Sequence, residues 1–526
     1  MKKALLYDTT LRDGMQGENI FFSPEDKIKI AKKLDDIGIH YIEGGWPGSN
    51  PGAEQFFELA KDVVFKNSKI AAFGSTRHPN KNVENDVNLQ ALIKSEAAVV
   101  TIFGKSWDLH IEKIMNNSKE NNLKMITQSI EYLFKHDREV IYDAEHFFDG
   151  FKSDPEYALE TLKAAIEGKS KTIVLCDTNG GTLPSDISEI TSAVKKYLGQ
   201  SGFDNIILGI HAHNDCAMAV ANSVASVQQG VSMVQGTING YGERCGNTDL
   251  TSIIPILSKK LGIECISDQN LKKLLSLSRF VSEAANIPPL GNRPFVGKSA
   301  FAHKGGIHVS AVNKIPKAYE HMDPEIVGNQ RRVLVSEQSG RSNIEYKAKE
   351  LGVDLKKNKQ NGINIVTNIK ELENYGYEFD IADGSLKLLM EKLTGQFTPN
   401  FELVSFRVSV EKDMERPCYS HAMIKIKVGD KIEITSAEGD GPVSALDNAL
   451  RKALSTIYPQ IDNMHLVDFK VRVIDGKDGT KARVRVLIES RDENSVFTTV
   501  GVSEDIIEAS WQALTDSFQY KLSLDN

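Results

Sequence analysis

Apolar residues in the first 265 positions gather into eight short, β-rich runs, and between the runs the spacing changes to a helical one. The runs lie at 4–7, 39–42, 70–73, 97–103, 140–142, 172–176, 206–210 and 231–234. Between the first two, Ile28, Ile30, Ala31, Leu34 and Ile37 make a roughly helical stripe. Ser23 is placed to cap that helix, Asp26 to close a capping box, and Gly38 to end it. Ser153-Asp154-Pro155 marks another helix start. Eight strands alternating with helices predict an α/β fold, a (β/α)8 TIM barrel over 1–265. An open doubly wound sheet has the same local pattern, and the strand count favours the barrel.

The alternation stops near residue 266. From 266 to 400, helical patterns, turn residues and a polar stretch at 356–361 predict helical linker subdomains. Residues 401–526 look duplicated. Strand-like runs at 403–410, 422–428 and 431–436 precede a helix after Gly441-Pro442. A second set at 466–474, 482–488 and 496–500 precedes a helix from about Ser503. Two βββα units predict a paired α+β domain, a candidate regulatory and dimerisation module.

Composition narrows the function classes. The chain has 526 residues, 40% hydrophobic and 25% charged, with a net charge of −8. That balance gives no basic patch for nucleic acid, and no apolar run reaches the length of a membrane span. The N-terminus turns acidic by Asp8, too soon for a signal peptide. Five scattered cysteines without a C-x-x-C pair imply reduced thiols and a cytoplasmic setting.

In a barrel, chemistry belongs at the C-terminal ends of the strands. Polar clusters follow six of the eight runs: Asp8 to Gly14, Glu43-Gly44-Gly45, Asp143 with Glu145 and His146, Asp177-Thr178, His211 with His213, and the segment after Asn239. Six clusters on one rim favour an enzyme over a binding or structural protein. His211 and His213 lie two apart on a strand, so both imidazoles share a face and can reach one metal ion. A pair of half-buried polar residues at a strand end is the plainer alternative. Asp13, Asp8, Asp177 and Asn247 are positioned to complete a shell, with Zn, Mn or Fe suited to mixed donors and Mg or Mn to more oxygens. Arg12 can balance an oxyanion or form a structural salt bridge. Glu145 can move a proton, brace Arg12, or stand as a solvated carboxylate. Asp177-Thr178 can cap a helix.

Three motifs in order carry a family resemblance. Thr9-Thr10-Leu11-Arg12-Asp13-Gly14-Met15-Gln16, His211-Ala212-His213-Asn214-Asp215 and Gly242-Glu243-Arg244-Cys245-Gly246-Asn247 together resemble the 2-isopropylmalate, homocitrate and citramalate synthase family. The resemblance spans almost the full chain and implies an acetyl-CoA-dependent Claisen condensation. Tyr41-Ile42-Glu43-Gly44-Gly45-Trp46-Pro47-Gly48-Ser49-Asn50-Pro51 is most similar to the longer citramalate-forming members. This implies pyruvate as acceptor, with 2-oxoisovalerate second.

By resemblance, Asp13, His211 and His213 are metal ligands and Asn247 a further ligand or near-ligand, for a divalent Mn, Mg or Zn ion. Arg12 orients the acceptor and steadies the enolate, Asp13 belongs to the same substrate site, and Thr178 contacts the acceptor carboxylate. Glu145 matches the barrel glutamate. In Ala302-His303-Lys304-Gly305-Gly306-Ile307-His308, His308 matches a catalytic histidine, although the residues alone read as structural. Here Gly305 stands where the family usually has serine. Tyr319 matches the family's linker tyrosine. The resemblance further implies a homodimer, with isoleucine as the effector of the C-terminal domain, or leucine if the product is isopropylmalate. A metal-dependent acyl-CoA lyase, a biotin-dependent carboxyltransferase and a non-catalytic amino-acid sensor are the rival classes.

Overall fold

The computed structural model describes residues 3–524 apart from 356–358, 413, 415–416 and 475–481. Of the polar stretch 356–361, residues 356–358 therefore lie outside the described residues. The chain divides into two compact units, Met1–Phe301 with Asp323–Gln330, and Ala302–Met322 with Arg331–Asn526.

In the first unit eight parallel strands close into a barrel: β1 Leu5–Asp8, β2 Tyr41–Gly45, β3 Lys69–Ser75, β4 Val99–Lys105, β5 Glu139–Glu145, β6 Thr172–Asp177, β7 Ile207–Ala212 and β8 Met233–Gly236. Each strand pairs with the next, and β1 closes the ring on β8. Each apolar run seeds one strand. Several strands continue past their run onto Asp8, Glu43, Asp143, Glu145, Asp177 or His211. Ladder hydrogen bonds join backbone groups, so a strand persists where polar side chains find partners in the barrel. Eight residues from seven strands, Tyr7, Tyr41, Ala71, Val99, Ile141, Val174, Cys176 and Met233, form one apolar cluster.

Between the strands run α1 Pro24–Ile37, α2 Pro51–Lys61, α3 Val87–Lys94, α4 Lys119–Lys135, α5 Phe147–Ser153, α6 Pro155–Glu167, α7 Pro184–Gln200 and α8 Ala219–Gln228. Ser23 caps α1, its Oγ accepting from Asp26 N–H at 3.1 Å. The box closes through side chains, since Ser23 Oγ–H donates to Asp26 Oδ2 at 2.8 Å. Gly38 ends the helix at φ +91°, the left-handed conformation that glycine adopts without a steric penalty. Asp154 caps α6 by accepting from Tyr157 N–H. Asp177-Thr178 is not a helix cap: α7 starts at Pro184, and Asp177 accepts from Thr182 Oγ1–H at 2.8 Å. After β8 follow α9 Leu250–Pro255, α10 Asp268–Leu271 and α11 Leu274–Ala284.

The second unit opens with a two-residue parallel ladder of β9 Ala302–His303 and β10 Arg332–Val333, and with α12 Gly306–Lys314. Helices α13 Arg341–Glu350, α14 Lys359–Tyr375 and α15 Asp383–Thr394 follow. The predicted duplication is present. Antiparallel β11 Glu402–Glu411, β12 Tyr419–Val428 and β13 Lys431–Gly439 lead into α16 Pro442–Leu454; β14 His465–Val473, β15 Val484–Arg491 and β16 Val496–Ser503 lead into α17 Ile506–Leu524. One apolar core joins both repeats, with Ile424, Leu446 and Leu450 from the first and Ile488, Leu514 and Phe518 from the second. No helix among the described residues is long and apolar enough to cross a membrane.

Candidate active site

The turn after β1 presents two neighbours to the barrel mouth. The Thr9 carbonyl accepts from the N–H groups of Arg12, Asp13 and Gly14 at 3.1, 2.9 and 3.1 Å, folding the chain back over the strand end. His211 is the penultimate residue of β7, and His213 lies one residue beyond that strand. Extended backbone there puts both imidazoles on one face. An isolated bridge pairs His213 with Asn247 in the loop after β8, which brings a third strand end to the cluster.

Asp13, His211 and His213 are all buried, and their ligating atoms lie within 4.8 Å of one another. His211 Nε2 is 3.3 Å from Asp13 Oδ2 and 3.4 Å from His213 Nε2. His211 Nδ1–H donates to Gln235 Oε1 at 2.8 Å, so Nε2 is the nitrogen left to face the cluster. Asn247 Nδ2 donates to Asp13 Oδ2 at 3.0 Å and lies 3.1 Å from His211 Nε2. Its Oδ1 is buried without a hydrogen-bond partner. Space for this amide exists because residue 242 is glycine: at φ +156°, a Cβ there would stand 1.8 Å from Asn247 Oδ1.

The charges suit a cation. Burial opposes ionisation of Asp13, but Arg12 and His211 outweigh it and hold the carboxyl well below the usual range. Burial, with His211 beside it, pushes His213 down to about 3. One carboxylate, two imidazole nitrogens and an orphaned amide oxygen fit a divalent ion of borderline hardness. Asp8 and Asp177, the other candidate ligands, stand outside this cluster. Asp8 accepts from Thr10 N–H and Oγ1–H, and burial lifts its carboxyl to about 7.

Arg12 is held from two sides. Its Nε donates to Glu43 Oε1 at 2.5 Å, its NH1 nitrogen is 3.5 Å from Asp13 Oδ2, and its guanidinium carbon lies 3.7 Å from the centre of the Phe73 ring. Glu43 Oε2 accepts from Tyr7 OH at 2.8 Å, and Tyr7 OH lies 2.7 Å from Thr101 Oγ1. Burial works against the guanidinium charge, but Glu43 and Asp13 outweigh it, so Arg12 stays cationic. The carboxylate bracing Arg12 is thus Glu43, whereas Glu145 forms its ion pair with Lys105 at the end of β4.

Thr178 lies between three strand ends. Its Oγ1 accepts from His146 N–H at 2.8 Å, leaving the hydroxyl proton to donate elsewhere. Its carbonyl accepts from Arg244 NH2 at 2.8 Å, and Arg244 also donates to both oxygens of Asp215. Arg12, Asp13, Glu145, Thr178, His211 and His213 all line one cavity of about 240 Å³ at the barrel mouth. His308, on α12, and Tyr319 belong to the second unit, where their rings stack with centroids 4.2 Å apart.

Reading the chain alone missed Gln235, Tyr7, Thr101 and Lys105. Each sits in or beside an apolar run, where the linear sequence does not show which partner it meets. The available signal was a polar side chain on the inward strand register, and that shows only once the pairing is known.

Models of three families match the chain: HMGL-like over 3–281, homocitrate synthase post-HMGL domain-like over 295–376, and LeuA allosteric (dimerisation) domain over 380–522. It is 54% identical to an (R)-citramalate synthase of Geobacter sulfurreducens over 523 residues, covering 99% of this chain and 98% of the relative. It is 53% identical to an (R)-citramalate synthase of Aquifex aeolicus over 526 residues, covering 100% and 98%. A 2-isopropylmalate synthase of Methanocaldococcus jannaschii is 31% identical over 516 residues, covering 98% and 94%.

Proposed function

Because the chain belongs to the HMGL-like family, in its branch of 2-isopropylmalate, homocitrate and citramalate synthases, we propose that it condenses acetyl-CoA with pyruvate to give (R)-citramalate and CoA. This is a Claisen-type acyl transfer in which the acetyl group ends as an alkyl substituent. The observation that carries the reading is the convergence of Asp13, His211 and His213 with Arg12, Glu145 and Thr178 on one cavity.

Asp13, His211 and His213 would hold a divalent cation, with Asn247 beside them, and the ion would supply Lewis acidity toward a ketone oxygen. The Thr178 hydroxyl proton is free to donate to the acceptor carboxylate. Glu145 and His308 are the two candidate bases for the acetyl methyl proton. The carbanionic carbon then bonds to the ketone carbon, and the ketone oxygen takes up charge and a proton. Arg12, fixed by Glu43, stands ready to offset that developing charge. Addition of water to the citramalyl thioester releases the CoA thiol.

The second unit carries the regulatory part of the proposal: a homodimer, with isoleucine as the end-product effector of a branched-chain pathway. Edge-strand residues support a subunit interface. Val410 on β11 and Phe469, Val471 and Val473 on β14 are apolar, 37–56% exposed, and lie on edge strands of their sheets. A cytoplasmic setting accords with five free cysteines.

The test is thiol release from acetyl-CoA by chelator-stripped protein with Mn or Mg restored. Pyruvate, 2-oxoisovalerate and 2-oxoglutarate are compared, with product mass measured. Metal-dependent release with pyruvate is expected. Release only with 2-oxoisovalerate replaces the acceptor, and no release with any acceptor from folded protein overturns the reading.

A further inference from the structure

We propose that Glu320 is a positioning residue: clamped by Arg331 and His303, its carboxylate fixes the loop that presents Tyr319 to His308. The inference rests on the condensing activity proposed above, and on His308 and Tyr319 taking part in it. All five residues belong to the second unit.

The two rings stand on the surface. His308, in α12, is exposed, and Tyr319 is 47% exposed just after a single 3₁₀ turn, Pro316–Ala318. Their rings stack at 4.2 Å and 28°. A contact on the surface removes little apolar area from water, so the stack by itself does not hold either ring in place. Helix α12 has its own footing. Val309 and Val312 are buried beneath it, and the fully buried Asn343 donates to the Lys304 and Leu334 carbonyls at 2.9 Å each. A Cβ on Gly306 would stand 2.8 Å from the Gly340 nitrogen, so the first turn of α12 sits directly on the start of α13.

The loop bearing Tyr319 is anchored differently. From 313 to 321 every residue is exposed except Glu320. What Glu320 reaches is ionic. Arg331 Nε donates to its Oε1 at 2.5 Å and Arg331 NH2 to its Oε2 at 2.6 Å, a bidentate fork. His303 Nε2 lies 3.1 Å from the same Oε1. Burial opposes ionisation of Glu320, but Arg331 and His303 outweigh it and keep the carboxyl below its usual range. His303 ends β9, Arg331 directly precedes β10, and Val333 of β10 pairs with His303. The carboxylate is therefore gripped from both sides of one small ladder.

One peptide bond separates this anchor from the tyrosine. The N–H groups of Tyr319 and Glu320 both donate to the Pro316 carbonyl, at 3.2 and 3.1 Å, so turn, ring and anchor move together. An apolar side chain at 320 would also bury, but it could slide in an apolar seat. A carboxylate held by a planar guanidinium fork is fixed in angle as well as distance. A group that must meet a reacting atom needs placement to within about 0.5 Å, which the exposed ring cannot secure for itself.

The experiment measures kcat and both KM values in the metal-loaded full chain for Glu320→Gln, Tyr319→Ala and the double variant, with Arg331→Lys and His303→Gln alongside. Glu320→Gln should lower kcat by about 10- to 100-fold, the scale for a group displaced by about 1 Å. The KM for pyruvate and for acetyl-CoA should stay within about threefold of wild type. In the Tyr319→Ala background, Glu320→Gln should cost less than about threefold more, because both changes remove the same placed ring. Arg331→Lys, which keeps the charge without the fork, should fall between wild type and Glu320→Gln. If Glu320→Gln does not fold, Arg331→Lys and His303→Gln carry the same test against Tyr319→Ala. Wild-type kcat in the folded clamp variants overturns the proposal, as do a change confined to either KM and losses that multiply in the double variant; each leaves Glu320 a structural ion pair. Wild-type kcat in Tyr319→Ala overturns it by taking the ring out of the reaction, with the condensation left standing. No turnover on any 2-oxo acid in wild type overturns it together with the condensing activity itself.

Discussion

His211 Nδ1–H donates to Gln235 Oε1 at 2.8 Å, and Gln235 Nε2–H donates onward to Asp143 Oδ1 at 3.0 Å. The amide therefore fixes which imidazole nitrogen faces Asp13. Burial, with Glu43 nearby, lifts the Asp143 carboxyl to about 7, so the far end of the relay is held in a strongly desolvated setting. A leucine at 235 would fill similar space without accepting from His211. In Gln235→Leu the affinity for Mn should fall about 10- to 100-fold, the usual effect of losing a ligand's orienting partner. Equilibrium dialysis on the full chain measures it, and an unchanged dissociation constant would leave Gln235 with a packing role only.

Arg12 separates charge stabilisation from metal binding. Arg12→Ala should lower kcat by about 10²–10³-fold, the scale for removing one preorganised donor at a developing anion. Metal affinity should shift by much less, because Arg12 is not among the three residues whose donor atoms converge to hold an ion. Parallel dialysis and turnover measurements decide this. Wild-type turnover in the variant would take Arg12 out of the chemistry.

Thr178 offers a hydroxyl proton because its oxygen already accepts from His146 N–H. Thr178→Val should raise the KM for the 2-oxo acid by about 10- to 100-fold, matching about 1–3 kcal/mol for an unsatisfied polar partner. The acetyl-CoA KM should stay near wild type, and Thr178→Ser should restore most of the loss. Equal effects on both substrates would point to collapse of the loop that Arg244 clasps.

A pH dependence arises in the second unit. Burial would raise the Asp492 carboxyl, but Lys521 and donors from Asn494 and Ser495 outweigh it and lower it from 3.8 to about 2. The carboxyl ionises more easily folded than unfolded. Its contribution is complete above pH 4 and is lost as pH falls through 2. Asp492→Asn should reduce the opening free energy of α17 and β15 by about 2 kcal/mol at pH 7. The difference from wild type should shrink by pH 3. Amide hydrogen exchange on the full chain reads this directly, and a pH-independent difference would contradict the assignment.

The helix stops and strand seeds were legible because they are local. Ser23, Asp26 and Gly38 act within one helix, and an apolar run of four or five residues is enough to nucleate a barrel strand. Asp13, His211 and His213 were legible because two of them share a strand face and the third lies in a family motif. The Arg12–Glu43–Tyr7–Thr101 chain was not. Its members are 31, 36 and 94 positions apart, and only the closed barrel brings them together. Hydropathy shows Tyr7 and Thr101 as ordinary strand residues and carries no record of their pairing.

The ring of strands closes where β1 meets β8, and the hydrogen bond from Asn247 to Asp13 crosses that junction between residues 234 positions apart. The site is therefore built on the seam of the barrel. A chain emerging from the ribosome owns Asp13 long before it owns the strands β7 and β8 that bring His211 and Asn247 to it. Because contacts this distant in sequence form late and slowly, metal capture should register the last step of assembly, and a bound ion would act as a rivet on the completed hoop.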